Sequence, residues 1–428
     1  MEKDSLKKYK VGILTTLYEA NTAYSLWSVI ESQMVSLVKN GYEAVFFVHD
    51  NFKDDDKVPQ GVEIRKVVPR FLLTDYSDFR EIDPKLEQEA QKSYEALKEH
   101  TKDLDIIIEH DFLLQGWFMP YCMAIHRLAE ETNIKWLHWI HSVPRPMPAN
   151  CKYPHNLRFK LPKNSKLVYL NNQNVIEAAE AYQTFPKNVR VVYNPVDPRL
   201  YWNVHPLVKK LIDQYGLLDK DLIQVYPLST TRMVSGKQIK IAIDIFSKLK
   251  ELGQKVSLVV ANAHANDKRE KQVIGEVLSY ASQKGLSVGE IIFTSLEGSE
   301  YELGVPREVI AQLFMLSNLF IFPSVSENGP LILYEAMLSK CLLVLNSSVP
   351  CMREFGQENA LYFKFGSIWE NVEYDDKEKF MMDVAKIIMS EFSINKALKG
   401  QNFIKQKLNY DKVFESQILP LLHEYGDL

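Results

Sequence analysis

The stretch Pro323–Met337, PSVSENGPLILYEAM, follows an apolar strand-like run and opens into a helical pattern. Its carboxylates Glu327 and Glu335 stand eight residues apart across that strand-to-helix turn. About ninety residues earlier, a second apolar run ends in a turn that carries Arg232 and Lys237. Because an open parallel sheet binds ligands where its strands end, one crevice edge would hold two acids, two cations and a helix N-terminus. Such a set suits a ligand with hydroxyl groups at its ends and a diphosphate in the middle.

The rest of the chain repeats this alternation of apolar strands and helical patterns. Near-continuous apolar strands separated by helices indicate parallel sheets covered on both faces. The 428 residues are too many for one core, so two doubly wound α/β domains are predicted. We place an N-terminal Rossmann-like domain at 1–200 and a C-terminal one at 201–404, joined by a proline-rich link around 194–219. An amphipathic helix within about 405–428 is expected to pack back on the first domain.

Bulk composition argues against several classes of protein. The net charge of −4 gives no electrostatic reason to expect a nucleic-acid partner. The four cysteines form no CxxC pair and no zinc-like cluster with histidine, which is typical of buried free thiols in a reducing compartment. The N-terminus lacks a signal-peptide pattern, and no run approaches the roughly 18 apolar residues of a membrane helix. We therefore expect a cytoplasmic protein, with peripheral membrane contact and oligomeric state left open.

The residues after Glu327 are typical of a helix start. Pro330 is expected at the first helical position, where its missing N–H costs nothing. The N–H groups of Leu331 and Ile332 would then point out of a helix end that carries about half a positive charge. Taken alone, the pattern equally fits a capped surface helix with two solvated acids.

Two further segments end at the predicted sheet edges. In LSTTRMVSGKQIKIAIDIF (228–246), Arg232 and Lys237 lie between a strand and a helix that begins near Lys237, where cations grip phosphates. A solvated loop is the alternative, and GxxxxGK[ST] is not met. In WLHWIHSVPRP (136–146), His141 ends an apolar strand. Three roles are open for it: contact with a sugar, proton transfer, or a purely structural role.

Neighbouring histidines and acids are weaker candidates. His138 points to the opposite strand face and is expected in the core. His110 and Asp111 end another strand and are secondary candidates for lining the cleft. Aspartates at 54–56, 103 and 105 lie in a polar loop or at the wrong end of the sheet, so no metal site is predicted.

Together these residues resemble the retaining nucleotide-sugar glycosyltransferases of the GT-B fold, specifically glycosyltransferase family 4. The spacings Arg232-x4-Lys237 and Glu327-x7-Glu335 match that family's Arg-x4-Lys turn and E-x7-E motif. The run 317–348 resembles the family pattern along most of its length, and NPVD at 194–197 stands where the family usually has NGVD. The resemblance implies two Rossmann-like domains that face each other across a cleft.

The resemblance also implies a role for each residue. Arg232 and Lys237 would neutralise the donor diphosphate, Glu335 would bind the ribose, and Glu327 with the backbone after it would hold the donor sugar. His141 would contact that sugar from the first domain. The implied reaction transfers a hexose with retention from a substrate such as UDP-glucose or GDP-mannose to a hydroxyl acceptor, without metal or cofactor. The donor-binding residues implied are Arg232, Lys237, Glu327, Asn328, Gly329, Pro330, Leu331 and Glu335.

The chain also departs from the family pattern. The glycine-rich loop after the first strand is replaced by TTLYEANTAYSLW (15–27), so Glu19, Asn21 and Tyr24 are the candidates for the acceptor side. Two other functions share the architecture: a nucleotide-sugar epimerase, whose extra carboxylates we cannot assign here, and a non-catalytic scaffold that binds sugar nucleotides. The base, the sugar and the acceptor stay open.

Overall fold

The computed structural model of the protein describes residues 8–21, 24–72, 74–143, 145–230 and 233–426. The chain divides into two units. The first unit runs up to Val196 and takes in the chain again from Leu408, and the second is Asp197–Lys407. Both units consist of parallel strands alternating with helices, so the predicted α/β class is confirmed.

The described strands of the first unit form one parallel sheet in the order β3-β2-β1-β4-β5-β6-β7. The order reverses between β1 and β4, which are neighbours in register from Val11 opposite Ile106 onward. Such a reversal opens a crevice at the carboxyl ends of the strands. The strands are β1 Lys10–Leu14, β2 Glu43–His49, β3 Val62–Val68, β4 Ile106–His110, β5 Lys135–Ile140, β6 Ser165–Tyr169 and β7 Val189–Val191.

Successive side chains of a strand point to opposite faces of the sheet, so apolar strands give the sheet two apolar faces. Helices cover both of them. Phe46 of β2 packs in one core cluster with Trp27, and the next residue, Phe47, packs in another with Leu97 and Tyr121. Full burial of each such aromatic side chain contributes roughly 1.5–3 kcal/mol. The helices up to β7 are α1 Ser25–Lys39, α2 Leu86–His100, α3 Met119–Glu131 and α4 Val175–Ala181.

The second unit has two three-stranded parallel sheets, β10-β9-β8 and β11-β12-β13. Side chains join β8 to β11: the buried Gln224 amide donates to Ile321 O at 2.9 Å and accepts from Ile321 N at 2.8 Å. We call this β8–β11 junction the seam. The strands are β8 Leu222–Ser229, β9 Val256–Ala263, β10 Ile291–Phe293, β11 Leu319–Phe322, β12 Leu342–Asn346 and β13 Ala360–Phe363.

The helices of the second unit begin earlier than the sequence indicated. The proline-rich link predicted around 194–219 contains two helices, because Pro206 starts one and the side chain of His205 caps it by accepting from Leu207 N at 3.1 Å. The helices are α5 Pro198–Tyr201, α6 Pro206–Tyr215, α7 Ile239–Glu251, α8 Lys268–Gln283, α9 Arg307–Leu316, α10 Leu331–Leu338, α11 Pro350–Gly356, α12 Lys377–Ile394 and α13 Lys396–Lys407.

The segment after Leu408 returns to the first unit. It consists of α14 Tyr410–Val413, a π-helical turn at Phe414–Ile418 and α15 Leu419–Gly426. Phe414 and Leu422 are buried in the same core cluster as Phe46. Among the described residues, no helix is long and apolar enough to span a bilayer.

Candidate functional site

In the second unit the seam is the point at which the strand order reverses, and the two predicted turns both start there. Lys237 lies in the turn after β8, and Glu327 lies in the turn after β11. Gln238 ties the turns together, since its side-chain amide donates to Pro323 O at 2.8 Å and to Phe365 O at 3.2 Å. The helix α7 begins at Ile239 rather than near Lys237, because Gln238 adopts a left-handed conformation (φ 48°).

Lys237 and Glu327 form an ion pair, although ninety residues separate them in the chain. Their side chains are only 19% and 11% exposed, so water screens the pair weakly. Ser324 Oγ donates to Glu327 Oε1 at 2.6 Å, and Lys237 Nζ lies 5.2 Å from the centre of the Phe322 ring. The structure thus brings two of the predicted site residues into contact. Arg232 lies outside the described residues.

The turn that leads into α10 differs in one detail from the prediction. Pro330 is buried and precedes the helix, which begins at Leu331. Its extended backbone (φ −76°, ψ 103°) explains why it stands just outside the first turn. Asn328, Gly329 and Leu331 are exposed, and no described side chain caps this helix end. The end therefore presents backbone donors toward solvent beside Glu327.

Glu335 has a different partner from Glu327. It accepts a hydrogen bond from Arg307 Nη2 of α9 at 2.8 Å, and the Arg307 side chain is 79% exposed. An exposed ion pair of this kind contributes about 0–1 kcal/mol. Glu335 is therefore held only weakly in its present contact, and ligand hydroxyl groups can replace Arg307 at small cost.

The first unit holds a cavity of about 350 Å³ where its own strand order reverses. Residues that follow β1, β4 and β5 line it, as expected for a crevice at the carboxyl ends of parallel strands. We call it the histidine cavity. Its lining residues are Thr15, Thr16, Leu17, Tyr24, Ser25, Leu26, Val29, His110, Asp111, Phe112, Gln115, Trp117, Phe118, His141 and Asn194.

A chain of hydrogen bonds fixes the two histidines of this cavity. His110 Nε2 lies 3.1 Å from Gln33 Oε1, and His110 Nδ1 lies 3.0 Å from His141 Nε2. Because the Gln33 oxygen only accepts, His110 donates through Nε2 and accepts at Nδ1 from His141 Nε2–H. Burial lowers the pKa of His110 well below its ordinary value. Burial also lowers the pKa of His141, against an opposing effect of Asp111. Both imidazoles are therefore neutral near pH 7, and Nδ1 of His141 keeps its lone pair.

Asp111 organises the loop that follows His141. Its Oδ1 accepts from His141 N at 2.8 Å, and its Oδ2 accepts from Ser142 Oγ at 2.8 Å. Asp111 has a left-handed backbone (φ 61°), a conformation that aspartate tolerates better than most residues. The sequence indicated Asp111 and His110 only as secondary candidates, and it gave no signal for Gln115 or Trp117.

The three acceptor-side candidates separate in the structure. Tyr24 lines the histidine cavity, whereas Glu19 and Asn21 are exposed and do not line it. The chain turns away at the buried Ala20, whose N–H donates to Asp54 Oδ2 at 2.7 Å. The sequence treated 19–24 as one loop and could not show this anchor.

The other polar groups noted in the sequence form structural pairs. His138 is fully buried, as predicted; its Nδ1 lies 2.6 Å from Glu109 Oε1, and its Nε2 lies 2.9 Å from Ser165 Oγ. Asp103 accepts from Lys10 and Arg65. The described residues contain no group of three His, Cys, Asp or Glu side chains arranged to hold a metal ion. All four cysteines are free, but only Cys122 and Cys341 are buried.

Comparison with known proteins gives structural likenesses only. No family model and no curated sequence matches the chain. A glycosyltransferase from Rickettsia africae ESF-5 is 17% identical, with 98% of each chain covered and a TM-score of 0.36. Anabaena Alr3699/HepE, solved in complex with UDP, is 16% identical over 97% of this chain and 100% of that one (TM-score 0.32). WaaG, a glycosyltransferase involved in lipopolysaccharide biosynthesis, is 12% identical over 97% and 98% (TM-score 0.30). At TM-scores this low the likenesses carry no argument about activity.

Proposed function

We propose that the protein is a glycosyltransferase that moves a hexosyl unit from a nucleotide-diphosphate sugar to a hydroxyl acceptor. The observation that carries the proposal is the contact between Lys237 and Glu327 at the reversal point of the second unit, beside the start of α10. A cation, an acid and backbone donors at one such edge complement the phosphates and hydroxyl groups of a sugar nucleotide.

The proposed chemistry is mainly electrostatic. As the bond between the sugar and the diphosphate breaks, negative charge grows on the leaving oxygen. Lys237, together with Arg232 as the family resemblance implies, stabilises that charge, and such stabilisation is usually the largest catalytic contribution. The resemblance also implies retention of configuration, with the departing phosphate oxygen taking the proton of the acceptor hydroxyl.

The two acids and the turn before α10 bind the sugar and the ribose of the donor. Glu327 accepts hydrogen bonds from donor-sugar hydroxyl groups, supported by the backbone at 328–331, and Glu335 accepts from the ribose. The ion pair of Glu335 with the exposed Arg307 is weak, so ribose hydroxyl groups can replace Arg307 as partners of Glu335. The role of His141 toward the donor sugar stays a prediction from the resemblance. The cytoplasmic location stays a prediction from the cysteine pattern and the N-terminal sequence.

The histidine cavity of the first unit suits an acceptor. It combines apolar and aromatic walls, including the half-exposed Trp117, with polar groups at His110, Asp111 and Gln115. Small-molecule sites are typically concave and apolar with a few converging polar groups of this kind.

The first test is a thermal-shift screen of the full chain against UDP, GDP, ADP and their sugars. A ligand that binds only the folded state at 100 times its Kd stabilises it by about 2.7 kcal/mol, which raises the Tm by several degrees. We expect one base to be preferred and its diphosphate to bind more tightly than its monophosphate. If none of these nucleotides shifts the Tm, the proposed function is wrong.

Metal removal gives a second test. Because the proposed leaving-group charge is neutralised by side chains and a helix end, we expect transferase activity to survive dialysis against EDTA. The assay measures sugar transfer from the nucleotide preferred in the screen, before and after EDTA and after Mg²⁺ is restored. Loss of activity that Mg²⁺ restores would contradict the metal-free mechanism.

A further inference from the structure

The first unit has a second cavity, of about 340 Å³, next to the histidine cavity. Gln115 lines both cavities, and Ser142, which lines the second, receives a hydrogen bond from Gln115. We call the second one the arginine cavity. Its lining residues are Ser77, Phe79, Leu114, Gln115, Ser142, Val143, Arg145, Pro146, Pro148, Arg158 and Phe159.

Arg158 is an uncommon residue for a buried wall. Arg158 is only 4% exposed. Its guanidinium carbon lies 5.4 Å from the ring centre of Phe79 and 5.6 Å from that of Phe159. It donates to two backbone oxygens: Nε to Leu114 O at 2.9 Å and Nη1 to Tyr76 O at 3.0 Å. Neutral carbonyl groups satisfy some of its donors but leave its positive charge without a counter-ion.

Within the part of the chain that the structure describes, no carboxylate forms an ion pair with Arg158. Asp75 acts on it only from a distance and accepts from Ser77 N at 2.9 Å. Burial lowers the pKa of Arg158, yet a guanidinium stays charged in proteins. An isolated buried charge is costly, so an arginine of this kind is usually matched by an anion.

The remaining lining strengthens the case for an anion. Arg145 lines the same cavity and is exposed, so the cavity has a buried and an accessible guanidinium. The described lining contains no aspartate or glutamate. Arg158 has five N–H donors, and its bonds to Leu114 O and Tyr76 O occupy three of them. Two of its N–H groups therefore have no acceptor among the described residues.

We propose that the arginine cavity binds an anionic group, a phosphate or a carboxylate, carried by the acceptor, whose reacting hydroxyl group lies in the neighbouring histidine cavity. The assignment of the anion to an acceptor rests on the proposed function, whereas the anion site itself does not. Arginine is well suited to such oxyanions because its planar fork donates two parallel hydrogen bonds.

Calorimetric titration of the full chain with inorganic phosphate and with acetate tests the anion site. The nucleoside diphosphate preferred in the thermal-shift screen is present at saturation, so that phosphate cannot report on the turn at Lys237. We expect Arg145→Gln to weaken phosphate binding by about tenfold, the usual effect of losing one charge-assisted hydrogen bond. The matched control is Lys152→Gln, which removes an exposed charge from the same segment outside the cavity and should leave phosphate binding unchanged.

Arg158→Lys is the second variant, because it keeps the charge but loses the fork. We expect it to fold and to bind phosphate more weakly than the wild type. If Arg145→Gln and Arg158→Lys both bind phosphate as the wild type does, or if the wild type binds neither phosphate nor acetate, Arg158 only ties the loops at Tyr76 and Leu114 together and the proposal is wrong. Tighter binding of phosphate than of acetate assigns a phosphorylated acceptor, and the reverse assigns a carboxylate.

This outcome is separable from that of the proposed function. If no nucleotide binds in the thermal-shift screen, phosphate titrations of Lys237→Ala without any nucleotide still test the arginine cavity. If nucleotides bind but neither Arg145→Gln nor Arg158→Lys weakens phosphate binding, the donor assignment stands and only the anionic acceptor is overturned.

Discussion

Lys237 is the residue on which the proposed chemistry depends most. We expect Lys237→Ala to lower turnover by roughly tens- to thousandfold, because it removes a cation from the leaving diphosphate. Steady-state transfer kinetics measure the effect. Lys240→Ala is the control, since Lys240 is an exposed lysine three residues further along the chain. Unchanged turnover in Lys237→Ala would remove the leaving-group role.

Glu335 offers a contrasting prediction, because its role is in binding. Glu335→Ala should raise the KM for the donor about tenfold with little change in kcat, as expected when ground state and transition state lose the same contact. Arg307→Ala removes only the present ion-pair partner of Glu335. It should therefore leave the KM within about a factor of two. A pure loss of kcat in Glu335→Ala would contradict the ribose assignment.

How much of the site the sequence could predict differs from residue to residue. The meeting of Lys237 with Glu327 could be predicted, because each follows an apolar strand and strand ends converge at a reversal of order. The left-handed Asp111 and the pairing of His110 with His141 could not, since both depend on contacts between the ends of β4 and β5. Arg158 carried no sequence signal, because burial without a carboxylate partner is visible only in three dimensions.

At the scale of elements, the strands were the most predictable part. β2, β8 and β12 have the predicted bounds, because runs of mostly buried apolar residues mark them. β3 also has the predicted bounds, although only Val68 of this edge strand is buried. The seam was not predictable. Gln224 is a polar residue within an apolar strand, and nothing in the sequence shows that its amide replaces backbone pairing between β8 and β11.

The seam yields a stability prediction. Gln224→Met keeps the side-chain length but leaves Ile321 N–H and C=O without the amide that pairs with both. Two buried backbone groups without partners cost about 2–6 kcal/mol. Urea unfolding should show that loss in the free energy of unfolding, while the exposed substitution Gln283→Met should change it by less than about 0.5 kcal/mol. A Gln224→Met variant as stable as the wild type would show that the seam does not depend on this amide.

At the scale of the whole molecule, acidification should weaken the first unit. Burial lowers the pKa of His126 from 6.5 to about 4, and burial also lowers the pKa of His110 and of His141. Above pH 6.5 these histidines are neutral in both states and do not affect stability. As the pH falls below 6.5, these histidines become protonated in the unfolded chain but stay neutral in the folded unit. The free energy of unfolding therefore decreases until the pH reaches the pKa of the folded state.

For His126 this predicts a loss of roughly 2 kcal/mol between pH 7 and pH 5. Urea unfolding of the wild type and of His126→Gln at several pH values measures it, and the variant should show a shallower dependence on pH. Equal slopes in the two proteins would contradict the assignment to His126.

The return of the chain to the first unit sets the order in which a newly made polypeptide can fold. Translation completes the sequence of the second unit before Leu408 leaves the ribosome. Most of the first unit is synthesised before the second unit. It lacks Phe414 and Leu422 until the last part of the chain is made, so part of its core stays open to water. A nascent chain at that stage combines one finished unit with one unfinished apolar surface, which is the kind of intermediate that chaperones bind.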